Sequence, residues 1–464
     1  MGVAVSGWRL AHAVSSAGQL GVVSGTALDV VLVRRLQQGD PGGHVRRALD
    51  AFPFRDVAQR IKDKYFNESG VRTGERFKTR SKLKLKVPEA LADLLVASNF
   101  VEVFLAKEGH DGKVGINYLE KLQAPTLHSL FGAMLAGVDY VLMGAGIPRA
   151  IPGILDRLSR SEPVELKLDV KGATAEDDFK MEFNPMDYFK GKAANLKRPD
   201  FLPIISSFSL AKMLVRRATG AVQGFIVEGP TAGGHNAPPR GKVELTEDGE
   251  PIYGEKDVAD LDAIGELGLP FWLAGSYGRP EAVSDALAKG ATGVQVGTLF
   301  AYCEESGFTP EIKEQVLDLS NLGKVDHFTD PHASPTGFPF KVVQMEGTLS
   351  EKHLYEDRTR ICDLGYLRSA YKKSNGSLGW RCSAEPVKDF VRKGGDAADA
   401  VGRKCLCNTL LSSVGMAQTH VGGEIELPMV TSGDDVKKVA RMLRPGQDTY
   451  TAQDVLDYLL PDIS

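Results

Sequence analysis

Short apolar runs, most of them closed by glycine or proline, recur along this chain and are separated by stretches of helical periodicity. They lie near residues 20, 114, 138, 201, 222, 270 and 293. Val138-Asp139-Tyr140-Val141-Leu142-Met143-Gly144-Ala145-Gly146 and Pro270-Phe271-Trp272-Leu273-Ala274-Gly275-Ser276 are typical. A run this short, bounded by breakers, fits a strand buried on both faces. Alternation with helices requires crossover connections, which make the sheet parallel and cover it with helices. Seven such units leave few architectures open.

The pattern predicts an α/β fold of the (β/α)8 (TIM) barrel type in which seven strands are visible. The 464 residues suffice for a barrel of about 250 residues plus additions. The barrel is expected over residues 1–340 and an extension of mixed and helical character over 341–464. Between about 160 and 200 the rhythm changes. Segments 164–170 and 179–183 alternate apolar and polar residues, which predicts an inserted, half-exposed β-hairpin. A further strand is expected at 101–105, and terminal helices at 434–443 and 451–460.

One stretch concentrates chemistry: Glu228-Gly229-Pro230-Thr231-Ala232-Gly233-Gly234-His235, directly after the run Val222–Val227. Paired glycines let a backbone approach a ligand closely, because no Cβ intervenes. A histidine directly after them is the side chain most easily tuned to move protons near neutral pH. The segment 329–341, rich in proline, reads as a surface loop or a lid over such a site.

Composition excludes several classes. A net charge of −4 argues against nucleic-acid and anionic-membrane partners. No run approaches 18 consecutive apolar residues, so no transmembrane helix is expected. The Met1-Gly2 start and the small, apolar residues after it resemble lipidation and leader signals, but Arg9, His12 and Gln19 interrupt them, and a cytoplasmic location is expected. Residues 60–86 hold ten Lys and Arg against three Asp and Glu, which reads as a solvated face. Cys362, Cys382, Cys405 and Cys407 fall within 46 residues but lack C-x2-C knuckles. Buried free thiols are expected there rather than a metal, and no metal ligand set is assigned.

Six short motifs stand in a fixed order: Ala17-Gly18-Gln19-Leu20-Gly21, Gly115-Ile116-Asn117, Met143-Gly144-Ala145-Gly146-Ile147-Pro148, Glu228 to His235, Ala274-Gly275-Ser276, and Gln295-Val296-Gly297-Thr298. Together they resemble the nitronate monooxygenase (2-nitropropane dioxygenase-like) family of FMN-dependent TIM barrels, which also holds flavin-type enoyl-acyl-carrier-protein reductases. The resemblance covers roughly residues 1–340 and implies FMN as cofactor. It places Asn117, Gly144, Ala145 and Gly146 against the flavin ring, Gly233 and Gly234 toward the cofactor, and His235 beside its reactive edge as the catalytic residue. Gly275 and Ser276, with Gly297 and Thr298, would hold the FMN phosphate, in keeping with the phosphate sites after the last strands of such barrels, and Gln295 would also bind the cofactor. The family's opening strand precedes the segment that here begins at Met1, so the first strand is expected to be missing.

The resemblance implies oxidative denitrification of alkyl nitronates by O2, with His235 abstracting a proton from a nitroalkane or steering a nitronate as imidazolium. The alternatives are an NAD(P)H-dependent enoyl-thioester or quinone reductase on the same barrel, and a non-catalytic degenerate barrel. The partners implied are a small-molecule substrate, a nitronate or enoyl thioester, with O2 or NAD(P)H, and the oligomeric state stays open.

Overall fold

The computed structural model describes residues 2–72, 74–189 and 194–461. All seven expected strands join one parallel sheet, in which each pairs with its neighbour in the chain. They are Gly21–Ser24, Val114–Leu119, Tyr140–Gly144, Asp200–Ile205, Phe225–Glu228, Phe271–Ala274 and Gly293–Gln295. Sequential parallel pairing with helical crossovers curls the sheet into an open barrel, as the repeating pattern predicts.

Among the described residues the first and seventh strands do not pair with each other. The N-terminal segment bridges them instead. Ser24 N donates to Ser6 O at 2.8 Å on one side, and Gly307 N donates to Val5 O at 2.8 Å on the other. Val5, Leu10 and Val14 share one apolar cluster with Leu299 and Tyr302, which follow the seventh strand. Non-strand backbone thus occupies the gap between the two edges.

The larger cluster joins sheet residues such as Val23, Ile116 and Val141 to the helices Leu28–Gln37, Glu89–Lys107 and Gln123–Leu135. It also includes Leu364, Leu406, Leu411 and Met429, so the residues after 341 share the barrel's core. Full burial of each such leucine contributes about 1.5–3 kcal/mol.

Two expectations fail here. Residues 101–105 are not a strand but the last turns of the 19-residue helix Glu89–Lys107. That helix is apolar on almost every side because it is sandwiched between other helices, so its Val and Phe residues carry no amphipathic signature. Residues Asp434–Met442 form 3-10 turns broken at Lys438 rather than a regular helix, while Ala452–Leu459 is helical as expected. The insertion contains the expected hairpin: Val164–Lys167 pairs antiparallel with Lys180–Phe183. Residues 190–193 of that insertion lie outside the described residues.

The basic stretch is also not wholly a solvated face. Arg80 is buried, and its Nε donates to Asp29 at 2.5 Å. Asp29 in turn accepts a hydrogen bond from the hydroxyl of Tyr366, tying three distant segments together.

Candidate functional site

The first five strands of the sheet deliver their C-terminal ends to one cavity. Asn117 and Gly144 reach it from adjacent strand ends, with Ala145 just beyond, and Glu228 comes from the end of the Phe225–Glu228 strand. Gly233, Gly234 and His235 complete that side. The opposite wall comes from beyond residue 341: Leu364, Tyr366, Leu367, Leu406, Cys407, Leu410 and Thr431. Among the lining residues there is no Lys or Arg.

His235 is fixed by a device the motif pattern did not reveal. Gly234–His235 forms a short strand paired with Phe340–Gln344, which pairs in turn with Asp326–Asp330. The imidazole packs edge-on against Phe340 at 4.9 Å between ring centres, and its Nε2 meets Ser334 Oγ at 2.7 Å. Ser334 is fully buried and exchanges a 2.8 Å hydrogen bond with Thr336 Oγ1. The proline-rich segment therefore ends in a strand and grips the histidine. Burial pushes the imidazole pKa down to about 3, so the ring is neutral in this cavity at physiological pH. The expected imidazolium role finds no support in this environment.

Glu228 was quoted in the motif but assigned no role. Its carboxyl lines the cavity and has no hydrogen-bond partner among the described residues. Burial raises its pKa to about 7, which makes it a second proton-carrying group at neutral pH. A glutamate that ends a buried strand was the available signal, and the strand's low-dielectric setting supplies the shift.

The remaining predicted residues divide into two groups. Asn117, Gly144, Ala145, Gly233, Gly234 and His235 share the cavity, whereas Gly146, Gly275, Ser276, Gln295, Gly297 and Thr298 do not line it. Gly146 lies against Glu120. Gly275 and Ser276 both adopt positive φ, of 99° and 58°, directly after the sixth strand. Gln295 ends the seventh strand, paired with Ala274, and Gly297 is exposed with open space around it. Thr298 Oγ1 accepts from Gly433 N at 3.0 Å, and the nearby Gly278 N donates to Asp435 at 3.1 Å. Residues 431–435 thus run between the histidine loop and the loops after the last two strands. Gly234 N donates to Thr431 Oγ1 at 2.9 Å, and Asp434 N donates to Thr231 O at 3.1 Å.

One observation tests whether a flavin ring fits. Asn117 Oδ1 is buried and has no donor in the protein, so a ligand N–H placed there would satisfy it. The residues at that end therefore offer a buried acceptor to a hydrogen-bonding ligand such as a flavin ring.

Fold and cavity together define a parallel α/β barrel with a cavity at the carboxyl ends of its first five strands. Residues 190–328 match the family model described as nitronate monooxygenase. A dehydrogenase from Mycobacterium tuberculosis (strain ATCC 25618 / H37Rv), acting on (3aS,4S,5R,7aS)-5-hydroxy-7a-methyl-1-oxo-octahydro-1H-indene-4-carboxyl-CoA, is 27% identical over 143 residues. That match covers 31% of this chain and 36% of the relative's length. Among solved structures, FabK from Thermotoga maritima matches 99% of this chain and 89% of its own, at 16% identity and a TM-score of 0.45. Nitroalkane oxidase from Streptomyces ansochromogenes matches 100% and 93%, at 13% identity and a TM-score of 0.46. No helix among the described residues is long and apolar enough to cross a membrane.

Proposed function

We propose that this chain is an FMN-dependent oxidoreductase acting on a neutral substrate with an apolar body, and that enoyl-thioester reduction with NAD(P)H is the best-supported reaction. The observation that carries this reading is the make-up of the cavity wall: it offers the ionisable groups of Glu228 and His235 and, among the described residues, no Lys or Arg side chain. An anionic nitronate entering such a site would lose its hydration without gaining a Lys or Arg partner and would face the Glu228 carboxyl, which costs several kcal/mol. A neutral enoyl thioester avoids that cost. This reverses the order of preference that the motifs alone imply.

FMN, when bound, would supply the two-electron redox chemistry. Asn117, Gly144, Ala145, Gly233 and Gly234 would hold its ring, and Gly275, Ser276, Gln295, Gly297 and Thr298 its phosphate end. Saturating a carbon–carbon double bond next to a thioester requires a proton at the α-carbon. Glu228, whose pKa burial raises to about 7, is placed to hold and deliver one. His235, neutral and oriented by Ser334, would position the substrate carbonyl. A relative whose substrate is a coenzyme A thioester supports the same substrate class.

Nitronate oxidation is the second reading, favoured by the description of the family that matches residues 190–328. The test is the visible spectrum of FMN-reconstituted protein under anaerobic conditions. Bleaching by NADPH or NADH, with recovery of the flavin band on adding crotonyl-CoA, is the expected result. Bleaching by propyl-2-nitronate alone would establish the second reading. Failure to retain FMN would overturn both.

A further inference from the structure

The late cysteines are scattered over 46 positions, yet Cys362, Cys382, Cys405 and Cys407 all line one small cavity. This cavity adjoins the main one: Leu364, Leu367, Leu406 and Cys407 face both. The four thiols are not equivalent. Cys362 and Cys382 interact thiol to thiol. Cys405 turns away, donating to Ile361 O at 3.6 Å and accepting from Asn408 Nδ2 at 3.8 Å. Among the described residues no three His, Cys, Asp or Glu side chains converge as a metal-ligand set. Cys362 is half-buried and so reachable by a small reagent, while Cys382 lies behind it, buried.

We propose that Cys362 and Cys382 form a redox-active dithiol that closes to a disulfide in reaction with a hydroperoxide. Cys362 is the attacking sulfur. The hydrogen bond from Cys382 lowers its thiol pKa to about 7, helped by the positive charges of Lys82 and Arg368. Burial raises the pKa of Cys405 to about 11 and that of Cys407 and Cys303 upward as well, so these thiols stay protonated and inert. In the first step the Cys362 thiolate attacks the peroxide O–O bond. An S–O bond forms, the O–O bond breaks, and the leaving alkoxide or hydroxide takes a proton to become alcohol or water. In the second step Cys382, giving up its proton, attacks the Cys362 sulfenic acid. The S–S bond forms, the S–O bond breaks, and hydroxide leaves with that proton as water. Two thiols lose two electrons in all, and one peroxide gains them. Because Leu364, Tyr366 and Leu367 lie two to five positions after Cys362 and line the main cavity, the bond would pin that wall.

The test uses the full chain, reduced and then treated with one equivalent of hydrogen peroxide, alkylated and mapped by peptide mass spectrometry. The expected result is loss of two of the five thiols, a Cys362–Cys382 linked peptide pair, and full recovery with dithiothreitol. Cys382→Ser should leave Cys362 as a sulfenic acid captured by dimedone, and Cys405→Ser should still form the pair. Survival of all five thiols, linkage of a different pair, irreversible oxidation of Cys362 alone, or stoichiometric zinc or iron in the purified protein would each overturn the proposal.

Discussion

The two halves of the barrel mouth carry the same kind of sequence and have different structures. Around the ends of Val114–Leu119, Tyr140–Gly144 and Phe225–Glu228, the motif residues open onto a shared cavity. Around the ends of Phe271–Ala274 and Gly293–Gln295, they face solvent at Gly297, or are engaged by residues 433–435 at Thr298 and Gly278. Glycine-rich turns follow strands in both halves. What separates them is a segment more than 130 residues further on, which threads between the histidine loop and the phosphate-type loops. Local motifs thus state where a backbone can be approached. Distant chain decides whether a ligand or the protein itself makes the approach.

Gly233 is the position where the comparison breaks most easily. A Cβ there would lie 2.6 Å from both Gly433 N and Ser432 C, and backbone cannot swing aside as a side chain can. Gly233→Ala is expected to displace residues 431–435, to lower stability by on the order of 2–3 kcal/mol, and to abolish flavin retention. Thermal melting and the flavin-to-protein absorbance ratio check both effects. A variant that melts with the parent and keeps its flavin would show that the threading segment is not a constraint on the site.

The next effect belongs to His235. His235→Ala removes the ring held between Ser334 and Phe340 while leaving the glycine pair in place. It is expected to slow turnover by roughly 10²–10³-fold with flavin binding retained, as for loss of a proton-transferring or orienting side chain. Turnover within a few-fold of the parent would reduce the residue to a packing role.

Glu228→Gln should cost less in turnover, about 10-fold to 10²-fold, and should change the pH dependence of stability. The folded pKa of Glu228 is raised from 4.5 to about 7. Between those values the folded chain binds more protons than the unfolded one, so this group makes stability fall as pH rises through that window and level off above it. The loss amounts to up to roughly 3 kcal/mol, the shift converted at about 1.4 kcal/mol per unit. The variant should lack this fall and be more stable than the parent above pH 7. Parallel melting curves of parent and variant from pH 4 to 8 would refute the shift.

These predictions rest on parts of the molecule that were unequally legible in sequence. The seven parallel strands could be read because each is an apolar run buried on both faces and closed by a breaker. His235 and its glycine pair could be read because their role depends on adjacent residues. The helix Glu89–Lys107 was misread at 101–105 because burial on all sides erases the 3.6-residue period. Ser334, Tyr366 and the buried Arg80 were missed because each acquires its role through a partner 51 to 337 positions away. The far wall of the cavity, from Leu364 to Thr431, has no motif at all. It is apolar residues whose only signal is the place to which the chain returns them.

The smallest effect is expected at Gly297, and it is the most discriminating between the two halves. This glycine has φ −115°, which any residue adopts, and a Cβ added to it would meet nothing within 4 Å. Gly297→Ala should therefore leave stability within about 0.5 kcal/mol of the parent, in contrast to Gly233→Ala. If the loops after the sixth and seventh strands hold the FMN phosphate through backbone N–H groups, the added methyl group should crowd that approach and weaken FMN binding several-fold while leaving riboflavin binding unchanged. Fluorescence titration of the apoprotein with each flavin reads both numbers. Equal weakening for the two would locate Gly297 near the ring rather than the phosphate. No change for either would remove this loop from the cofactor site and leave the phosphate to be held elsewhere around the mouth.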